Sequence, residues 1–302
     1  MSLISMKAML SEAREKKYAV GYFESWNLES LKAVIGAAEQ VRSPVIIGFN
    51  GGMLTDPKRL LPPENLEYYG AIGGIAAKNA SVPVSLILNE IHTHQLVLHC
   101  IEYGFNAVMF ECDSDDLNTN IRVMKDVVDT AHSAGITVES NIGQLPSADK
   151  GELRRRDHHQ SLTDPKDAER FVEETGVDVL GVSIGNVEVL MDNKAALDFD
   201  LLESIQKAVD IPLTLHGGSG IADEDIEKLI HRGLCKINIG AALNQAFIDG
   251  MQNVQTSSKG SISPKFAIGS GLKDDIMAGG ELSLIEFVKH KMKVYGCAGK
   301  AY

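Results

Sequence analysis

Apolar residues in this chain fall into short continuous runs separated by amphipathic stretches, and almost every run stops at a polar residue or a glycine. Such runs predict strands buried on both faces, and the stretches between them predict helices. Strands are expected at Tyr18 to Glu24, Pro44 to Asn50, Pro83 to Glu90, Phe105 to Glu111, Ile136 to Gly143, Val177 to Gly185, Pro212 to Leu215 and Cys235 to Ile239. Helices are expected at Leu28 to Arg42, about Glu64 to Ala80, Thr93 to Tyr103, Asp115 to Ala134, from Pro165, Asp200 to Val209, Asp223 to Gly233 and around Gln245 to Gln252. The first has Leu31, Val34, Ile35 and Ala38 on one face, and Thr163 or Asp164 caps the helix that Pro165 opens. A surface helix near the start and a closing helix at Leu282 to Tyr295 complete the pattern.

Strands alternating with helices eight times predict a parallel (β/α)8 TIM barrel of the α/β class, one domain over residues 1–302, with N-terminal and C-terminal helical additions. A doubly wound sheet is the alternative. Two stretches break the rhythm. Residues 144–161 have no apolar period and carry Arg154-Arg155-Arg156-Asp157-His158-His159, and Thr256 to Gly271, rich in Ser and Gly, reads as loop. A long loop of the first kind is either a functional cover, its arginines gripping an anion, or a solvated charge run.

In a barrel all the C-terminal strand ends meet at one mouth. Those ends are Glu24, Asn50, Asn89 with Glu90, Glu111, Glu139 with Asn141, Asn186 with Glu188, His216 and Asn238. Long apolar strands that each end in an acid or an amide are better explained by one shared polar site than by separate solvated ends. The stretch Ile211 to Leu243 is the densest part. A buried strand stops at His216, and Gly217-Gly218-Ser219-Gly220 follows, a bare backbone whose N–H groups can converge on an anion or a metal-bound oxygen. The plainer reading is a tight turn beside a core histidine.

Composition narrows the classes. With 302 residues, 44% hydrophobic and 23% charged, the chain is globular, and 41 acidic against 29 basic residues give a net charge of −12. That balance argues against a nucleic-acid or anionic-membrane surface. No apolar run is long enough to span a membrane, and the opening MSLISMKAMLSEAREKK lacks a signal-peptide core, so a cytoplasmic location is expected. Cys100, Cys112, Cys235 and Cys297 show no metal or redox spacing and read as reduced thiols.

Block by block, the chain resembles the class II (metal-dependent) ketose-bisphosphate aldolase family, which includes fructose- and tagatose-bisphosphate aldolases. The blocks are MKAMLSEAREKKYAVGYF, LKAVIGAAEQVRSPVII, LTDPKDAERFVEETGVDVL, IGNV, LDFDLL, IPLTLHGGSGI, GLCKINI and YGCAGKA. The resemblance implies a (β/α)8 barrel, a homodimer or homotetramer, and retro-aldol cleavage of a ketose phosphate. It also implies a divalent cation, commonly zinc, that polarises the carbonyl and stabilises an enediolate.

Residue by residue, the implied site has changed. Of the three histidines that hold the family's cation, one corresponds to His216, and the other two fall at Glu90 and Glu188. Two carboxylates and one imidazole form a harder set, which shifts preference toward manganese, magnesium or iron. The family's proton-carrying aspartate is Asn89 here, which orients or hydrogen-bonds but does not exchange a proton. Glu139 or Glu24 is the expected proton carrier. The phosphate grip also differs: Gly48 and Asn50 replace glutamine and serine, Ala241 replaces threonine, and Asp192 replaces lysine. Asn50, Gly217, Gly218, Ser219, Asn238 and Arg154 are the expected substrate contacts.

The expected activity is that of an aldehyde-lyase acting on a ketose, ketose phosphate or sugar-acid derivative, and not efficiently on fructose 1,6-bisphosphate. Two alternatives stay open, a metal-dependent sugar epimerase or isomerase and a non-catalytic sugar-binding homologue.

Overall fold

A computed structural model describes residues 3–112, 114, 116–143, 162–187, 195–258 and 262–301. Eight parallel strands close on themselves in sequence order: β1 (Val20–Glu24), β2 (Val45–Asn50), β3 (Val84–Ile91), β4 (Ala107–Phe110), β5 (Thr137–Ile142), β6 (Val179–Val182), β7 (Leu213–Leu215) and β8 (Leu234–Ile239). Closure falls between β1 and β8, where Val20 pairs with Lys236 and Phe23 with Ile239. The expected TIM barrel is therefore the fold, and the doubly wound alternative is excluded.

Around the barrel run α2 (Leu28–Val41), α4 (Leu66–Asn79), α5 (His94–Glu102), α6 (Leu117–Ser133), α7 (Pro165–Thr175), α8 (Phe199–Ala208), α9 (Asp223–His231) and α10 (Ala241–Ser257). Their starts are chemically marked. Asn27, Asn65, Thr93, Asp116, Asp164 and Asp198 each cap a helix with a side-chain oxygen.

Helix α1 (Met6–Glu15) lies across the end of the barrel where strands begin, burying Met6, Met9, Leu10 and Ala13. Ile4 donates its N–H to Val84 at 2.8 Å, and Lys7 Nζ lies 2.9 Å from Asp178 Oδ1. Asp178 also accepts from the Val138 N–H and lies 2.8 Å from His132 Nε2. The other end is thereby left as the mouth. All four cysteines are free, and burial pushes the Cys235 thiol up to about 12.

Four elements differ from expectation. A short helix α3 (Gly51–Thr55) follows β2 directly, because the Asn50 side chain accepts from the Met53 N–H. Helix α10 runs from Ala241 rather than Gln245. Helix α12 (Ile276–Val294) starts well before Leu282, because Asp275 accepts from the Met277 and Ala278 N–H groups, and it packs on α10 and α2. The short α11 (Pro264–Ala267) interrupts the stretch expected to be loop.

Candidate active site

His216 follows β7 directly, inside the barrel and almost wholly buried. Its Nε2 lies 3.0 Å from Glu139 Oε1 and 2.8 Å from Asn238 Nδ2. Its Nδ1 faces the Glu90 carboxylate, 3.8 Å from Oε1. One ring nitrogen is thus engaged below, and the other points to the mouth.

Glu90 reaches that position through an irregular backbone. Asn89 and Glu90 should point to opposite sides of β3, since side chains alternate along a strand. The β3–β4 register shifts between Leu88 and Ile91, however, and Glu90 takes a left-handed φ of 52°. A bulge of this kind re-aims a side chain at the cost of local strain. Two amides then fix the carboxylate: Asn89 Nδ2 donates to Oε1 at 2.9 Å, and Asn50 Nδ2 donates to Oε2. Asn89 Oδ1 is buried and has no hydrogen-bond partner.

Beneath His216 lies a buried ion pair that the sequence reading missed. Lys236 Nζ lies 2.7 Å from Glu139 Oε2 and 2.9 Å from Oε1, donates to Asn238 Oδ1 at 2.5 Å, and sits 5.2 Å from the Tyr22 ring centroid. Burial pulls the Lys236 ammonium below its ordinary value, and the attraction of Glu139 only partly opposes this. Burial alone would raise Glu139, but the Lys236 charge and the His216 hydrogen bond win and hold it low. Burial would also lower His216, yet Glu139 and then Glu90 leave the imidazole raised.

Glu111, just beyond β4, completes the described mouth. Asn141 Nδ2 donates to its Oε1 at 3.1 Å, and His92 Nε2 lies 3.9 Å from its Oε2. Burial and the neighbouring Glu90 charge raise this carboxyl above its ordinary range, with His216 and His92 opposing. At 30% side-chain exposure it remains reachable from solvent.

The expected site residues take several places. Glu90 and His216 meet at the mouth, and Asn89 and Asn50 both donate to the Glu90 carboxylate. Asn50 spends its amide nitrogen on Glu90, and Asn238 spends its amide on Lys236 and His216. Glu139 is fully buried and ion-paired with Lys236. The turn after His216 has Gly217 at a left-handed φ of 72°, and a Cβ on Gly218 would stand 2.6 Å from the Asn238 carbonyl oxygen. Ser219 Oγ accepts from the Ala242 N–H at 3.1 Å. Glu24 lies against Gly240. Glu188 and Arg154 fall outside the described residues. Among the described residues, no three His, Cys, Asp or Glu side chains converge on one ion position.

A parallel eight-stranded barrel whose mouth gathers a strand-end histidine, oriented carboxylates and a glycine turn has the build of a TIM-barrel enzyme, whose active site lies at this end. The chain belongs to the class II fructose-bisphosphate aldolase family, whose model matches residues 4–300. It is 33% identical over 301 residues to a fructose-bisphosphate aldolase of Geobacillus stearothermophilus, covering 100% of this chain and 99% of that one. It is 30% identical over 301 residues to a sulfofructosephosphate aldolase of Alkalicoccus urumqiensis, with the same coverage. The crystal structure of the YdjI aldolase from Escherichia coli K12 superposes with a TM-score of 0.79 at 30% identity, covering 99% of this chain and 100% of that one. The chain is thus an enzyme of the aldehyde-lyase type. Among the described residues, no helix is long and apolar enough to cross a membrane.

Proposed function

We propose that this enzyme cleaves a carbon–carbon bond in a ketose or sugar-acid derivative with the help of a divalent cation, and that fructose 1,6-bisphosphate is a poor substrate. The observation that carries the reading is the orientation of His216. Nε2 lies against Glu139 and Asn238 inside the barrel, so Nδ1 is the ring nitrogen that faces the mouth, beside a carboxylate held by two amides. A carboxylate behind an imidazole in front is the arrangement that fixes a metal-ligating tautomer.

The donor set fits a divalent ion. Burial first and then the Glu90 charge raise Glu111, and a cation would relieve the second of these. Glu90 and His216 would hold the ion, with Glu188 as the third ligand. Oxygen-rich ligation favours manganese, magnesium or iron over the zinc common in the family. When bound, the ion would polarise the substrate carbonyl and stabilise the enediolate.

The chain's own residues supply the rest. Asn89 and Asn50 hold Glu90 in place. The Glu139–Lys236 pair holds the His216 ring from behind through Nε2. Glu111, raised and reachable, carries the exchangeable proton on Oε2, the oxygen that Asn141 leaves open and His92 faces. The proton-carrying role thus passes from Glu139 to Glu111. Two relatives of nearly equal identity are named for different substrates, so overall likeness does not choose one. The active form is expected to be a cytoplasmic homodimer or homotetramer.

The test is elemental analysis after manganese or zinc loading and dialysis, with product analysis on a ketose panel. The wild type should retain an ion, Glu90→Gln should retain it at least about tenfold more weakly, and an aldehyde should accumulate. An ion-free wild type would favour the sugar-binding homologue. Interconverted ketoses without an aldehyde would favour an epimerase. Rapid cleavage of fructose 1,6-bisphosphate would refute the substrate reading.

A further inference from the structure

Tyr22 sits on the inward face of β1. It pairs in register with Ile46 and Asn238, and the Lys236 ammonium lies 5.2 Å from its ring centroid, inside the barrel. Alternation turns the next residue outward, where Phe23 stacks on Tyr295, and returns Glu24 to the inward face at the rim. The Tyr22 side chain therefore stands one layer below the mouth, and it is only 1% exposed. Its hydroxyl has no hydrogen-bond partner among the described residues. A buried donor left unpaired is costly, and phenylalanine would fill the same space and keep the contact with Lys236 without that cost. Packing explains the ring but not the oxygen.

Carboxylates stand in range, yet none takes the proton. Burial first, then the charges of Glu24, Glu90 and Glu139, push the phenol well above its ordinary value, so it stays protonated and acts as a donor. A second unpartnered atom belongs to the neighbour of Glu90. Asn89 gives its Nδ2 to Glu90 Oε1, and its Oδ1, also fully buried, bonds to nothing among the described residues. One open donor and one open acceptor are thus left around the Glu90 carboxylate. A hydroxyl group satisfies both kinds, because it accepts and donates at once.

We propose that Tyr22 is a substrate-binding residue, whose hydroxyl donates a hydrogen bond to the hydroxyl oxygen on the carbon next to the substrate carbonyl and so selects α-hydroxyketones over the corresponding deoxyketones. The inference rests on the reading above, in which Glu90 lies where the carbonyl is polarised, and it adds a residue that addresses the ketone half of the substrate. No proton changes hands in this contact, and a phosphate at the end of the substrate is compatible with it.

Calorimetry on the manganese-loaded full-length protein compares dihydroxyacetone phosphate with hydroxyacetone phosphate, which lacks only the hydroxyl, in the wild type and in Tyr22→Phe. The wild type should bind the first more tightly, and the substitution should shrink that preference by about three- to tenfold, the worth of one neutral hydrogen bond. The melting temperature of Tyr22→Phe should equal or exceed that of the wild type, because no hydrogen bond within the fold is lost. An undiminished preference in Tyr22→Phe, or a wild type that does not distinguish the two probes, would overturn the proposal. So would a melting temperature lower by more than about 3 °C, which would reveal a partner for the hydroxyl inside the fold. The comparison needs no turnover: a protein that cleaves no ketose yet shows the Tyr22-dependent preference would lose the lyase reading and keep this one.

Discussion

Replacing Lys236 with Met keeps the length and most of the volume of the side chain but removes the ammonium from the centre of the barrel. Glu139 then loses contacts at 2.7 and 2.9 Å and keeps only its bond to His216, while Asn238 Oδ1 is left with the Thr214 hydroxyl at 3.5 Å. Removing one member of a buried pair typically costs about 3–5 kcal/mol, because the other charge stays behind uncompensated. The under-satisfied amide adds about 1 kcal/mol, and the surviving His216 bond offsets a similar amount, so a loss of about 3–5 kcal/mol is expected. For a chain of this size, with a urea dependence of roughly 3 kcal/mol/M or more, the unfolding midpoint should fall by about 1 M. Adding Glu139→Gln to Lys236→Met removes the stranded charge and should recover at least about half of the loss, which a double-mutant cycle reads directly. A single variant within about 1 kcal/mol of wild type, or a double variant no better than the single one, would show that the pair does not hold the barrel centre together.

Asp178 ties α1 to the base of the barrel. Burial alone would raise it, but Lys7, the Val138 N–H and His132 outweigh that and hold it below the ordinary range. Its contribution is complete above pH of about 4 and is lost as pH falls through the lower folded value. Asp178→Asn should therefore cost about 1–3 kcal/mol at neutral pH and flatten the acid limb of a stability-against-pH curve; an unchanged limb would exclude the residue. Gly48→Ala places a Cβ 2.1 Å from the Ile87 carbonyl oxygen, a backbone atom that can move only with β3, so loss of soluble protein or a melting temperature lower by more than about 5 °C is expected. Asn89→Asp converts a donor 2.9 Å from Glu90 Oε1 into a second carboxylate, which should lower stability at pH 7 by about 1–3 kcal/mol and leave the variant most stable in mild acid, where the two can share a proton. Thermal denaturation at two pH values checks the last of these.

The barrel was readable because its strands are buried on both faces and appear as continuous apolar runs, and because polar residues end them where the mouth begins. His216 and its glycine turn stood out for the same reason. Lys236 could have been found as well. In Leu234-Cys235-Lys236-Ile237-Asn238-Ile239 it shares the inward face of Asn238 by simple alternation, but a lone lysine in an apolar run was read as part of the strand. Glu139 was legible as a strand-end acid and illegible as a buried counter-ion, since its partner lies 97 residues away. The convergence of Glu90 with His216 depends on a bulge that alternation alone predicts against. The early start of α12 was hidden because Gly279-Gly280 interrupts the apolar period, and the cap at Asp275 was overlooked.

The bulge at Glu90 separates two properties that usually travel together. Where a side chain on a regular strand chooses its target by rotamer, the direction here is dictated by the main chain, through a register shift and a left-handed φ that belong to the β2–β3–β4 corner. Any non-glycine residue placed at this position would leave the backbone along the same vector. Its reach and its donor atom would differ, but its aim would not. The corner therefore behaves as a socket, in which imidazole, carboxylate or amide can be exchanged by one codon while the point they address stays fixed. Chemistry at this mouth can change hands without rebuilding the barrel that presents it.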